Sequence, residues 1–148
     1  MSIFDSFSIN ASGLTAERYR MDVISENIAN IDTTRTEDGT PYRRKLVTFE
    51  EKGKNGTFAS ALAKAKGDYI GGGVRVGKTY EDTETEMKMV YDPSHPDADE
   101  DGYVTYPNVN TVTEMTNMID ATRAFEANVT VMNSTKGMAL KALDIGQS

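Results

Sequence analysis

The chain has 148 residues, of which 38% are hydrophobic and 26% charged, with no cysteine, no tryptophan and a formal charge of −7. That length suits one domain, or one domain with long appendages. The acidic balance argues against nucleic acid and anionic membrane surfaces as partners, since both need a concentrated basic face, and the missing cysteines exclude disulfides, thiolate metal sites and a cysteine nucleophile.

Apolar runs are only a few residues long, far short of the roughly 18 that span a bilayer, so no membrane insertion is expected. Met1 to Ile9 has neither the basic start nor the long apolar centre of a cleaved secretory signal. If the protein leaves the cytoplasm, the expectation is that it does so by another route.

Glycine and proline divide the chain into three parts, 1–31, 32–107 and 108–148. All four prolines and nine of the twelve glycines fall between Gly39 and Pro107, which assigns long helices to the two ends. The N-terminal part carries Phe4, Phe7, Ala11 and Leu14, then Met21, Ile24, Ile28 and Ile31, at helical steps of three and four. Asn30, Asp32 and Thr33 mark its end, because short polar side chains compete there for backbone hydrogen bonds.

In the middle, Tyr42–Phe49, Gly73–Tyr80, Glu86–Tyr91 and Tyr103–Tyr106 alternate like strands. An Ala/Lys stretch from Phe58 to Lys66 reads as a short helix. The apolar content supports only a small twisted β unit.

The C-terminal part shows Met118, Thr122, Phe125, Val129, Met132, Lys136, Ala139 and Leu143 at alternating steps of four and three, with Val112, Met115 and Ile119 beside them. Pro107-Asn108 reads as a start and Gly146 as a stop. The two helices, ~28 and ~35 residues, would be about 40–50 Å long. The expected fold is therefore α+β: long terminal helices packed as an antiparallel coiled coil, with a small β-rich central domain between them. A helix pair buries one stripe on each member, so the second stripe of the C-terminal part leaves apolar surface for other subunits. The alternative is an ordinary monomer with both helices folded back over the β unit.

Two motifs suggest chemistry and fail on context. Gly72-Gly-Val-Arg-Val-Gly77-Lys78-Thr79 satisfies the phosphate-loop pattern letter for letter. A phosphate loop needs a buried strand before it and a helix N-terminus after it, yet here the motif itself alternates as a strand and an acidic run follows. Asp97-Ala-Asp99-Glu-Asp101-Gly102 opens like a calcium loop, but its twelfth position is Asn108 rather than a bidentate glutamate, and Pro93 and Pro96 prevent a preceding helix. His95 is the only histidine, so histidine metal clusters and histidine-based triads lack parts. No carboxylate sits in an apolar run that would tune it for acid–base work. No catalytic, cofactor-binding or metal-ligating residue is expected, nor a small-molecule substrate.

The run from Ser12 to Arg35, centred on Asn27-Ile-Ala-Asn30 and followed by Thr33, resembles the N-terminal signature of bacterial flagellar rod and hook (axial) proteins. Tyr42-Arg43-Arg44, Gly71–Val76, Val90–Val104, Pro107-Asn-Val-Asn110 and Ala121–Thr130 narrow the resemblance to the proximal-rod type. Residues 51–68 match no pattern of that family, and Glu81 to Glu86 lacks a proline often found there.

The resemblance implies a structural subunit of the basal body, in a hollow helical rod that crosses the periplasm and transmits motor torque for swimming. Its partners would be other rod proteins and copies of itself. Its export would run through the flagellar type III apparatus without a cleaved signal. The family packs its terminal helices as an inner coiled-coil layer with the β part outside. On that reading Phe7, Leu14, Met21, Ile24, Ile28, Asn30, Met118, Phe125, Val129, Met132 and Leu143 are the assembly and packing residues. Polar members of the rows keep single pairings weak, while many copies together add up. The alternatives are another axial component, distal rod or hook-like, and, from the phosphate-loop pattern, a nucleotide-binding protein.

Overall fold

The computed structural model describes residues 3–52, 62, 65 and 71–146. Among these residues two long helices flank four short strands in sequence: α1 (Ile3–Ala29), β1 (Lys45–Glu51), β2 (Val74–Glu81), β3 (Lys88–Tyr91), β4 (Tyr103–Tyr106) and α2 (Thr111–Gly146). The expected α+β class is the observed one. Leu62 and Ala65 are helical, while the rest of the helix expected over Phe58–Lys66 lies outside the described residues.

The helix ends follow from their polar side chains. At the end of α1, the Asn30 amide donates to the Glu26 carbonyl (2.9 Å) while its oxygen accepts the Thr33 hydroxyl (3.1 Å). This local bonding takes up backbone groups that a further helical turn would need. At the start of α2, Asn110 Oδ1 accepts the N–H groups of Val112 (3.0 Å) and Thr113 (3.1 Å), an N-cap. The sequence suggests Pro107-Asn108 for this start, two residues too early, because Asn108 is committed to other contacts described below.

Along α2 the positions that are not exposed include Glu114, Met118, Ala121, Phe125, Asn128, Met132, Thr135 and Ala139, a strict alternation of four and three. That is the 3.5-residue period of a coiled-coil row. On α1, Ser6, Ile9, Gly13, Ala16, Arg20, Val23 and Asn27 repeat the pattern, and none is exposed.

The strands form two separate two-stranded sheets, β1 with β2 and β3 with β4. In the second, Lys88 faces Tyr106, Met89 faces Thr105, Val90 faces Val104 and Tyr91 faces Tyr103 in antiparallel register.

The chain divides into two compact units. The first comprises Met1–Tyr19, Thr48–Gly77 and Ala121–Ser148. Within it, Gly13 lies so close to Asn128 that a Cβ would stand 3.2 Å from that side chain. Ser12 Oγ donates to the Ile9 carbonyl (2.6 Å) and accepts the Val74 N–H (3.0 Å), tying α1 to the start of β2. Gly73 has φ +96°, in the positive region that favours glycine, and would place a Cβ 2.2 Å from Ser12 Oγ. In the phosphate-loop-like motif a Cβ on Gly72 would stand 2.1 Å from the Lys52 carbonyl oxygen, so this glycine serves close backbone approach, and residues 74–79 of the motif lie on β2. The second unit comprises Arg20–Val47 and Lys78–Asp120, with Val23, Ile24, Tyr42 and Val104 buried.

Candidate functional site: a polar clasp and an open helix face

The second unit is organised around polar side chains. Asn27 is 1% exposed and uses its whole carboxamide. Its Nδ2 donates to the Lys45 carbonyl (2.9 Å) and to Glu114 Oε2 (3.0 Å), while its Oδ1 accepts the Lys45 N–H (2.8 Å) and the Tyr42 hydroxyl (2.9 Å). The side chain therefore meets Lys45 as a neighbouring strand would, with one donor and one acceptor. It joins the end of α1 to the start of β1 and to α2.

Glu114, also 1% exposed, receives a forked contact from Arg44, whose Nε lies 2.9 Å and Nη2 2.6 Å from Oε1. A bidentate guanidinium offsets the cost of burying that carboxylate. Asp82 lies 3.8 Å from Arg44 Nη1. Its carboxyl is held below the usual carboxylate range, first by the Thr85 N–H and hydroxyl, then by the Glu84 N–H and by Arg44. Asn108 Oδ1 accepts the Arg44 N–H (2.9 Å), and its Nδ2 donates to the carbonyls of Asp82 (2.9 Å) and Thr85 (3.1 Å). Burial, helped by the carboxylates of Glu26, Glu114 and Glu81, pushes the Tyr42 hydroxyl well above the ordinary phenol range, so it stays a donor. Lys45 also pairs with Glu26.

Within the second unit this clasp joins the end of α1, the start of β1, the β2–β3 connection and the start of α2. Its members are rigidly satisfied and consume each other's donors and acceptors, so the arrangement holds a shape rather than a substrate. Sequence reasoning missed it. Asn27, Arg44 and Asn108 stand in the motifs quoted above, but spacing along one chain does not tell which polar residues converge.

The predicted packing residues fall into distinct places. On α1, Ile24 is buried and Phe7, Leu14, Met21 and Ile28 are half-buried, on a row adjoining the one through Gly13 and Asn27, and Asn30, just past the helix, is half-buried too. Phe4 and Ala11, expected on the same stripe, are exposed. On α2, Met118, Phe125 and Met132 are half-buried members of the covered row, whereas Val129 and Leu143 are exposed. The latter two belong to a second row, rotated by one residue: Val112, Met115, Ile119, Thr122, Glu126, Val129, Asn133, Lys136, Leu140 and Leu143, all exposed. Its apolar members cluster towards the two ends, with Val112 at 73%, Ile119 at 52% and Leu143 at 63% exposure. Beside Val112 a cleft of about 580 Å³ is lined by Ile31, Val90 and Val109 among others.

The motifs set aside in the sequence have ordinary structural uses. Asp97 accepts the Thr34 hydroxyl (2.8 Å) and pairs with Arg35 (3.4 Å), and Asp99 accepts the N–H groups of Asp101 and Tyr103. His95 Nδ1 accepts the Asp97 N–H.

Known proteins place this architecture. A family described as flagella basal body rod protein matches residues 7–35, and the C-terminal domain of the flagellar basal body rod FlgEFG proteins matches residues 100–145. The flagellar basal-body rod protein FlgC of Bacillus subtilis (strain 168) is 48% identical over 99% of this chain and 100% of its own length. The chain belongs to the FlgC family of flagellar basal-body rod proteins. The FlgC proteins of Borreliella burgdorferi (47% identical over 99% of each chain) and Escherichia coli O157:H7 (40% identical over 99% of this chain and 100% of the relative) agree. As a FlgC-family member it is a structural rod subunit and not an enzyme. The family matches cover α1 from Phe7 onward with its terminal turn, and β4 with most of α2. They therefore include Asn27, Asn108, Glu114 and the whole open row of α2.

Proposed function

We propose that this chain is a subunit of the proximal rod, whose terminal helices pack as an antiparallel coiled coil and, with copies of itself and other rod proteins, line a hollow helical shaft that transmits motor torque. On this reading residues 1–31 and 108–148 are the assembling arms, 32–107 is the β-rich outer part, and the subunit reaches the periplasmic rod through the flagellar type III apparatus. No cofactor, nucleic acid or small-molecule substrate enters it.

Support for the helix pairing comes from the heptad rows and from one contact inside each compact unit. Gly13 meets Asn128 in the first and Asn27 bonds Glu114 in the second.

The observation that carries the proposal is the pair of neighbouring rows on α2, one covered by the chain itself and one open. A row with the coiled-coil period and exposed Val112, Met115, Ile119, Val129, Leu140 and Leu143 is suited to a further helix. Its polar members, Thr122, Glu126, Asn133 and Lys136, keep the isolated chain soluble. Val129 and Leu143 act between subunits, whereas Met118, Phe125 and Met132 act mainly within one.

The test is Ile119→Asp with Leu143→Asp. Both positions are exposed, so the purified variant should keep the stability of the parent within about 0.5 kcal/mol per site, yet fail to enter basal bodies and abolish swimming. Normal incorporation and swimming would refute the proposal.

A further inference from the structure

The β3–β4 hairpin has an outward face that neither the clasp nor the helix rows use. Its register places Met89, Tyr91, Tyr103 and Thr105 together on one side, while Val104 on the other side is fully buried. Met89 is 60%, Tyr91 64% and Tyr103 42% exposed. The two tyrosine rings stand edge to face, with centroids 5.3 Å apart and planes at 66°, so each is held by the other.

The hairpin connection, residues 92–102, carries five carboxylates and no lysine or arginine. Three are consumed locally. Asp92 accepts the Ser94 hydroxyl and N–H, which keep its carboxyl below the usual range. Asp97 is held by Thr34 and Arg35, and Asp99 by the backbone of Asp101 and Tyr103. The side chains of Glu100 and Asp101 are exposed and have no partner among the described residues.

A preorganised pair of aromatic rings with a thioether beside it is the composition of an interface anchor, because little side-chain entropy is lost when it is covered. The uncompensated charge at its rim selects the occupant. An acidic surface would be repelled, and a wholly apolar one would desolvate Glu100 and Asp101 without pairing them. A guanidinium or ammonium satisfies both features, since it stacks on tyrosine faces and bonds carboxylates, with arginine the better fit.

We infer that the outward face of this hairpin docks a neighbouring protein surface that presents arginine or lysine side chains, with Tyr91 and Tyr103 as anchors and Glu100 and Asp101 as charge partners. This names a partner surface within the rod assembly and rests on the proposed function for the identity of the neighbour as a rod component.

A photoreactive p-benzoylphenylalanine at Met89, in cells whose basal bodies are then purified, tests it. The expected crosslink joins a protein segment bearing arginine or lysine, and Glu100→Gln with Asp101→Asn lowers its yield several-fold without changing the yield from a control probe at Thr83. A crosslink to an acidic or uncharged segment, no crosslink from a chain that is present in basal bodies, or an unchanged yield in the neutralised variant would overturn it. A chain missing from basal bodies would instead count against the proposed function. The docking face is then judged on the purified full chain, titrated with a penta-arginine peptide. Ring resonances of Tyr91 and Tyr103 should shift, with affinity weakened about threefold or more by the neutralised pair, and a penta-glutamate peptide should leave them unmoved. Rings that do not respond to penta-arginine would overturn the inference.

Discussion

Replacing Asn27 with alanine removes four hydrogen bonds at a position that is 1% exposed. The groups stranded are the Lys45 N–H and carbonyl, the Tyr42 hydroxyl and one oxygen of Glu114. An unsatisfied buried group costs about 1–3 kcal/mol, and more when charged, but the space vacated admits water that recovers part of this. Arg44 still holds the other Glu114 oxygen. A net loss of about 3–5 kcal/mol follows, a large share of the 5–15 kcal/mol typical of a domain. Urea unfolding of the full chain followed by circular dichroism reads it directly. Asn27→Asp sharpens the test, because it keeps the shape while replacing the donor aimed at Glu114 by a second carboxylate oxygen. Its loss should equal or exceed that of the alanine variant at pH 7 and shrink as the pH falls and one carboxyl takes up a proton. A loss below about 1 kcal/mol for Asn27→Ala would refute the view that this carboxamide holds α1, β1 and α2 together.

Three further outcomes follow from the same geometry. The raised Tyr42 ionisation means that the folded protein keeps this proton while the unfolded chain begins to lose it near pH 10, so its contribution is full below that value and falls as the pH rises; Tyr42→Phe should lose about 1 kcal/mol at pH 8 and show a shallower alkaline decline in urea titrations. Gly73→Ala forces a Cβ against Ser12 Oγ at a positive φ and should cost about 2 kcal/mol or more in the same assay, whereas Gly39→Ala, with nothing within 4 Å, should pay only for its backbone conformation. Lys78→Ala should leave swimming and basal-body assembly intact, and calorimetry with ATP should give no binding isotherm, because the residue lies on β2 rather than ahead of a helix.

Much of the fold was legible because it rests on local signals. Proline and glycine confined to the middle assign both helices to the ends, and alternation locates all four strands to within a few residues. Asn30 announces the end of α1 through its own side chain. Legibility fails where residues distant in sequence converge. Asn108 reads as a helix start, yet its carboxamide spans from Arg44 to Asp82 and Thr85, and Asn110 caps α2 instead. Nothing in the sequence singles out Glu114, and only the approach of Arg44 and Asn27 explains its burial. The helix rows show an intermediate case. Periodicity reveals that α2 has two apolar stripes, but small and polar members such as Ala121, Asn128 and Thr135 conceal which one the chain covers itself. Phe125, half-buried within the chain, is for that reason a poor residue for separating folding from assembly, and Ile119 and Leu143 serve better.

The cysteine-free sequence allows the most direct test of the claim that the open row of α2 is covered in the assembled rod. A single cysteine at Leu143, and separately at Ile119, is labelled with a maleimide in the free chain and in purified basal bodies. The prediction is rapid labelling in the free chain and labelling at least about tenfold slower in basal bodies, with a control cysteine at Thr83 unprotected by the helices in both. Equal labelling of Leu143→Cys and Ile119→Cys in the two states would contradict the account.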